Sequence, residues 1–433
     1  MTLQDYINKY DNPTEWFSEE VKKGFHIERI SKVIDNRNYL KGIHKVLLRE
    51  DAKYKGKEFI TRKIILQYAK TILNFHSTYL LGKSVSLSGT ENMVKEFNNV
   101  YRLGQFNNTD FLILDKVNKF ADCYEVIYIN DGVIKSKLIN SEDGFPVYSD
   151  DTGEYIGFVE HWTDAVSNIS FYNVYYPTYV EHWSNEGGEL HLIDTKINVA
   201  GLPIHYHNYS DWDDNFGKSE LDDIKPILDE LEDIYSKLGD SIYTNSLNPM
   251  NVAIGQRIES SIPADAVGYV INLDAGDYKV VSTNMDYNTI KLYLDNLKQM
   301  LNDIACIPGI ISSNSNVANV SEVSLKLLFH LASVKAMQSE KWLKEGFRKR
   351  FDVITKILDM QGVHFSTGEY VDVEFNYSIP VATGEVISNL KTQFDMGAIS
   401  KQTIIEKSPL TNNVSMEMER IQKEGSDTGE NKE

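Results

Sequence analysis

The chain has 433 residues, 42% hydrophobic and 25% charged, with a formal net charge of −19. That size and balance suit two to four compact regions of a soluble globular protein. The acidic excess argues against a surface that grips duplex DNA by its phosphates, and there is no run of 18 apolar residues to cross a bilayer.

The start, MTLQDYINKYDNP, lacks the basic-then-apolar layout of a secretory signal, so the chain is expected to stay in the cytosol where it is made. Residues 20–82 are predicted helical. Ile64, Ile65, Tyr68, Ile72, Phe75 and Tyr79 recur mostly at steps of three and four, and Gly82 is the stop. From 85 to 210, Tyr, Val and Ile become dense, as in YEVIYIN (124–130) and FYNVYYPTYVEHW (171–183). Asn130-Asp131-Gly132, Asp151-Thr152-Gly153 and Glu186-Gly187-Gly188 punctuate these runs, which read as strands and hairpins. A helical stretch near 91–121 interrupts them.

Two striped helices follow. Over 219–245, Leu221, Ile224, Leu228, Leu231, Tyr235, Leu238 and Ile242 alternate steps of three and four. The line is narrow and its helix acidic: Asp211 to Asp240 holds 11 acids against Lys218, Lys225 and Lys237. Pro226 predicts a kink or a late start. Residues 246–285 are strand-like, punctuated by Pro249, Gly255, Pro263, Gly268 and Gly276. The second striped helix covers about 286–305, with Ile290, Leu294, Leu297, Leu301 and Ile304 on its line. Helix, small β module, helix suggests an antiparallel pair with the module at its far end. A single copy is expected to leave both stripes uncovered until neighbours pack on them.

Residues 307–320, IPGIISSNSNVANV, read as a loop. The longest helix is predicted over 321–361, with Leu343, Phe347, Phe351, Ile354 and Leu358 on one face and Gly362 as its end. It holds eight Lys or Arg and five acids, the one basic element. Unbroken, it would reach about 60 Å. A strand (370–379) and two or three short helices close the chain, with Ser400 as an N-cap and Pro409 as a stop. Residues 425–433 are polar and expected to be disordered. There is no internal repeat.

Chemical motifs are weak. Gly82-Lys83-Ser84 imitates the end of a phosphate loop, but Ser77 stands where the first glycine belongs, and the stretch ends a helix. His205 and His207 share a strand face without a third metal ligand at a useful spacing. Asp211, Asp213 and Asn215 begin a calcium-like loop, yet Gly217 comes one residue late and Asp222 replaces glutamate. A turn leading into an acidic helix is the better reading. Cys123 and Cys306 read as small buried hydrophobes. No catalytic, cofactor or metal residue is assigned.

Four segments resemble the portal proteins of long-tailed phages that infect Gram-positive bacteria. ILNFHSTYLLGKSVSL (72–87) is similar to the family's N-terminal helix and turn, with Ser84 where proline is usual. Residues 200–242, from AGLPIHYHNY to the first striped helix, resemble the family's passage into its stem. Residues 306–358 resemble its tunnel loop and long helix, with SEVSL (321–325) carrying Glu322 in place of a glycine. GAISKQTIIEKSPLTNNVSMEMERIQKE (397–424) is similar to the family's ending.

The resemblance implies an α+β portal fold in a ring, usually of twelve subunits. Its parts would be an N-terminal segment (1–24), wing (25–218), stem helices (219–245 and 286–306) and clip (246–285). The tunnel loop (307–320), long helix (321–362), wing return strand (363–380), crown (381–424) and tail (425–433) follow. Stem packing would fall to Leu221, Ile224, Leu228, Leu231, Leu238, Ile290, Leu294, Leu297 and Leu301. The DNA-facing loop would offer Ser312, Ser313, Asn314, Ser315, Asn316 and Asn319, polar groups without a cation. Lys341, Lys344, Arg348, Lys349 and Arg350 would pair between subunits or face DNA. The implied partners are double-stranded DNA, the terminase large subunit, scaffold, major capsid protein and a head-completion adaptor. The implied place is the capsid vertex of a virion. The alternatives are a phage structural or scaffold-like protein without a channel, and a metal-dependent enzyme using His205, His207 and Asp211.

Overall fold

The computed structural model describes residues 2–54, 57–243, 250–255, 276–281, 286–308, 326–378 and 383–411, and single positions up to 423. Contacts divide the chain into two units, Met1–Ser312 with Leu331–Tyr377, and Ser313–His330 with Ser378–Glu433.

The first unit begins with two short helices, α1 (Leu3–Ile7) and α2 (Trp16–Glu20). Thr2 and Asp5 form a reciprocal capping box that satisfies two otherwise orphaned amides. Tyr6, Ile7, Trp16, Phe17 and Val21 then bury themselves against a sheet, so the N-terminal segment contributes these side chains to the core. Helix α3 (Gly24–Leu40) ends where Gly42 takes φ +93°. The continuous helix expected to 82 does not form. A turn at Lys45–Leu48 and the hairpin β1 (Ala52–Tyr54) with β2 (Lys57–Phe59) intervene. The amides of Ile64 and Leu66 are spent on the side chains of Ser236 and Glu232. Helix therefore resumes only at α4 (Tyr68–Leu81), which stops at Gly82 as expected.

Strand β3 (Ser86–Gly89) leads into α5 (Glu91–Gly104) and α6 (Phe106–Phe120), the predicted interruption. Eight strands follow: β4 (Asp122–Asn130), β5 (Val133–Ile139), β6 (Gly144–Tyr148), β7 (Tyr155–Thr163), β8 (Ser170–Tyr175), β9 (Tyr179–Ser184), β10 (His191–Ile197) and β11 (Ile204–His207). Strands β6 to β10 make an antiparallel meander, and β11, β4 and β5 make a second sheet. Asp131 and Gly132 both have positive φ, the two-residue turn that suits the twist of a hairpin. One face of the meander takes the N-terminal helices through Val159 and Val174. Their neighbours Phe158 and Tyr175 point the other way, onto Tyr124 and Ile139.

The chain continues as α7 (Leu221–Ser241), the antiparallel pair β12 (Met250–Ile254) and β13 (Asp277–Val281), and α8 (Tyr287–Ile304). The 31-residue α9 (His330–Met360) follows, about 46 Å of regular helix. That is shorter than predicted: residues 326–328 are helical, but Phe329 is a turn. Gly362 at φ +88° closes α9, with Val363 N bonded to Leu358 O and Gly362 N to Asp359 O. Strand β14 (Val371–Glu374) returns to pair with β3. In the second unit, α10 (Thr383–Asp395) packs on α11 (Lys401–Lys407), which Ser400 caps through the Thr403 amide.

Candidate functional site

The α7–α8 pair is built by its own sequence pattern. Leu221, Ile224, Leu228 and Leu231 of α7 are buried against Leu294, Leu297 and Leu301 of α8. Leu238 and Ile290 pack at the edge of the same cluster. Tyr39 of α3 and Ala69, Ile72 and Leu73 of α4 complete it. One chain therefore covers most of both stripes itself, all but Ile242 (43% exposed) and Ile304 (50%) at their ends, and the expectation that the stripes wait for neighbours is not met over that length. The physical reason is α4, an apolar helix that supplies the third wall. Pro226 lies inside α7, which starts five residues earlier at Leu221, so a late start is not observed.

Off the stripe, α8 leaves Leu292, Tyr293 and Met300 63%, 46% and 52% exposed, beside Ile304 at the end of the stripe, 50% exposed. The outer side of α7 is acidic, with Asp222, Asp223 and Glu230 exposed. A buried pair fastens α7 to the chain before β1. His44 Nε2–H donates to the Tyr39 carbonyl at 2.8 Å, while Nδ1 meets Glu232 Oε1 at 2.7 Å. Burial pushes the Glu232 carboxyl above its ordinary range.

The long helix holds the first unit through Arg350. Its guanidinium is 0% exposed, donating to Glu125 of β4 at 2.9 Å, to Tyr101 of α5 at 3.2 Å, and to Asp110 of α6. Tyr206 of β11 and Ser136 of β5 add hydroxyl donors to Glu125 at 2.7 and 2.6 Å. Burial raises the Asp110 carboxyl to about 6 even though Arg350 beside it pulls the other way. Arg350 is thus neither a DNA-facing nor an intersubunit cation. Lys344 and Lys349 pair with Glu340 and Glu345 one turn away, whereas Lys341 and Arg348 are exposed.

The weaker motifs resolve into local structure. His205 Nε2–H donates to Asp122 at 2.9 Å and its Nδ1 accepts from Tyr148 Oη at 2.6 Å. Burial lowers the His205 pKa, which keeps that ring neutral. His207 packs on Trp342 instead. Asp213 caps the amides of Asn215 and Phe216. Gly217 is required by close approach: a Cβ there would lie 2.3 Å from the Ala121 carbonyl oxygen. Gly82, Lys83 and Ser84 follow a helix and line a polar recess of about 380 Å³ with Asn107 and Asn108. Cys123 is buried but Cys306 only partly so. No group of three or more His, Cys, Asp and Glu among the described residues is placed to hold a metal, and none of the described helices is long and apolar enough to cross a membrane. Ser312, Ser313, Asn314, Ser315, Asn316 and Asn319 lie outside the described residues, as do SEVSL, most of 246–285 and the tail.

The family model described as "Phage portal protein, SPP1 Gp6-like" matches residues 19–431. Solved structures with a similar fold come from gene transfer agent particles. A chain of the virion of the native particle is 12% identical, with 77% of this chain and 86% of that chain covered and a TM-score of 0.45. A chain of the neck of the empty particle, computed with C6 symmetry, is 10% identical, with 78% and 89% covered and a TM-score of 0.48. A chain of the neck of the native particle, computed with C12 symmetry, is 12% identical, with 78% and 89% covered and a TM-score of 0.44. No curated protein matches the chain.

Proposed function

The chain belongs to the phage portal protein family of the SPP1 Gp6-like type, and from that membership we propose that it is one subunit of a ring, usually of twelve, at a single capsid vertex. Double-stranded DNA is packaged and later ejected through the centre of this ring. The supporting observation is the family match over residues 19–431, with helix pair, β module and long helix in the expected order. The protein acts as a conduit and docking platform rather than as an enzyme.

The parts follow the family's layout. The strands and helices before α7, with β14, form the wing; α7 and α8 form the stem, with the β12–β13 module as clip. The segment 309–325 contains most of the tunnel loop, and α10 and α11 lie in the crown. A chain of net charge −19 presents DNA with a surface that releases no counterions, so the duplex passes without being held. The serines and asparagines of the tunnel loop touch phosphates through weak polar contacts. A ring needs two unlike faces on each subunit. With most of the stem stripes already covered, exposed residues such as Tyr293 and Met300 of α8, with Ile304 at the stripe's end, supply apolar contact area. Scaffold and major capsid protein surround the ring during head assembly. The terminase large subunit docks first, and a head-completion adaptor replaces it.

Native mass spectrometry and negative-stain imaging of the purified chain test the reading. Rings with a central hole, at a mass of about a dozen subunits, are expected. Filaments, or closed oligomers without a hole, would overturn it.

A further inference from the structure

The last turn of α8 is closed completely. Cys306 adopts φ +51°, Ile307 N bonds to Asn302 O at 3.0 Å, and Cys306 N to Asp303 O at 3.3 Å. This six-residue pattern satisfies carbonyls that a helix end leaves orphaned. Ile304 O takes the Cys306 thiol at 3.8 Å, and Ala305 O is reached from another helix: His76 Nε2–H of α4 donates to it at 2.7 Å. His76 is buried, and burial lowers its pKa, so the ring is neutral with its proton on Nε2.

Three residues further along α4, Tyr79 Oη is 2.7 Å from Ser333 Oγ in the first turn of α9. Residues three apart on a helix share a face and lie roughly 5 Å apart. Lys335, half a turn further along α9, reaches Glu220 at the start of α7 at 2.7 Å. One turn of α4 thus touches the chain at Ala305, four residues before 309, and at Ser333, eight residues after 325.

We propose that this turn of α4 is a clasp, with His76 and Tyr79 as positioning residues that tie α4 to the chain on both sides of the 309–325 segment, at roots taken as Ala305 and Ser333. A displacement of α4 carries both roots together. Only the assignment of the held segment to the DNA path rests on the channel reading; the clasp stands on its own contacts.

Hydrogen exchange of the full chain, read by mass spectrometry, tests the clasp. His76→Gln keeps an amide donor near the Nε2 position, whereas His76→Phe removes it. In H76F the amides of 305–307 are expected to exchange at least about tenfold faster, and in H76Q less than about threefold. H76F combined with Y79F should speed exchange at 305–307 and at 331–336 while β4 and β8 keep wild-type rates. Unchanged roots in the double variant would overturn the proposal. So would an equal rise in β4 and β8, or H76Q behaving as H76F. Micrographs of the same samples report separately on the ring: an exchange result as expected without rings counts against the channel and for the clasp.

Discussion

Replacing Arg350 by methionine keeps an unbranched side chain on α9 but withdraws the only cation from a site holding Asp110 and Glu125. Glu125 retains the hydroxyls of Tyr206 and Ser136, whereas Asp110 loses its bond to the guanidinium. Removing one partner from a buried ion pair costs about 3–5 kcal/mol. For a unit of this size that is a fall in Tm on the order of 5–10 °C. The sign with pH follows from Asp110. Its folded pKa is raised from 3.8 to about 6, so its stabilising contribution is complete below 3.8 and disappears as pH rises through about 6. Without Arg350 the carboxyl rises further, and R350M should lose more stability at pH 8 than at pH 5. Urea denaturation followed by circular dichroism at both pH values measures this. The triple variant D110N/E125Q/R350M, with no charge left to bury, should recover at least about 2 kcal/mol of the loss at pH 8. A loss under about 1 kcal/mol at pH 8, or one independent of pH, would refute the premise that the two acids are desolvated.

Four further outcomes are expected. Gly346→Ala places a Cβ 2.2 Å from the Tyr206 ring, which Glu125 holds in place, so thermal unfolding should show a loss of about 1–3 kcal/mol. Leu228→Ala empties a fully buried stem position and should cost about 2–5 kcal/mol by urea titration. Cys306→Gly relieves a left-handed backbone position and should raise stability by about 1 kcal/mol in the same titration. Burial raises the Glu20 carboxyl, but bonds from His26, Lys23 and Tyr10 more than reverse it, leaving about 2 against an ordinary 4.5. That depressed value contributes about 3 kcal/mol above pH 4.5, lost as pH falls through 2. Acid titration of Glu20→Gln should lack this component.

Local signals in the sequence predict local structure well. The three-and-four spacing of Leu221 to Leu238 and of Ile290 to Leu301 matches α7 and α8, Asn130-Asp131-Gly132 marks a hairpin, and Gly362 closes the long helix. Failures concern partners far away in sequence. Ile64 and Ile65 continue the periodicity of α4, yet the amides of Ile64 and Leu66 serve α7. The stem stripes look unfinished because nothing in their spacing reveals α4 beside them. The N-terminal segment (1–24) is given no core role from the sequence, although Trp16 and Phe17 are large apolar side chains that demand burial. Arg350 was grouped with four other cations, but its steps of seven from Leu343 and three from Phe347 place it on the apolar face of α9. That position signals a buried charge and hence carboxylate partners. The tunnel-loop residues carry no periodicity, so their role rests on family resemblance.

Because Leu221, Leu228 and Leu231 of α7 and Leu294, Leu297 and Leu301 of α8 are consumed within one chain, each protomer of the proposed ring can mature before it meets a sister copy. On the ring reading, closure is then a separate step from the folding of this core, and the count of copies can change without repacking it.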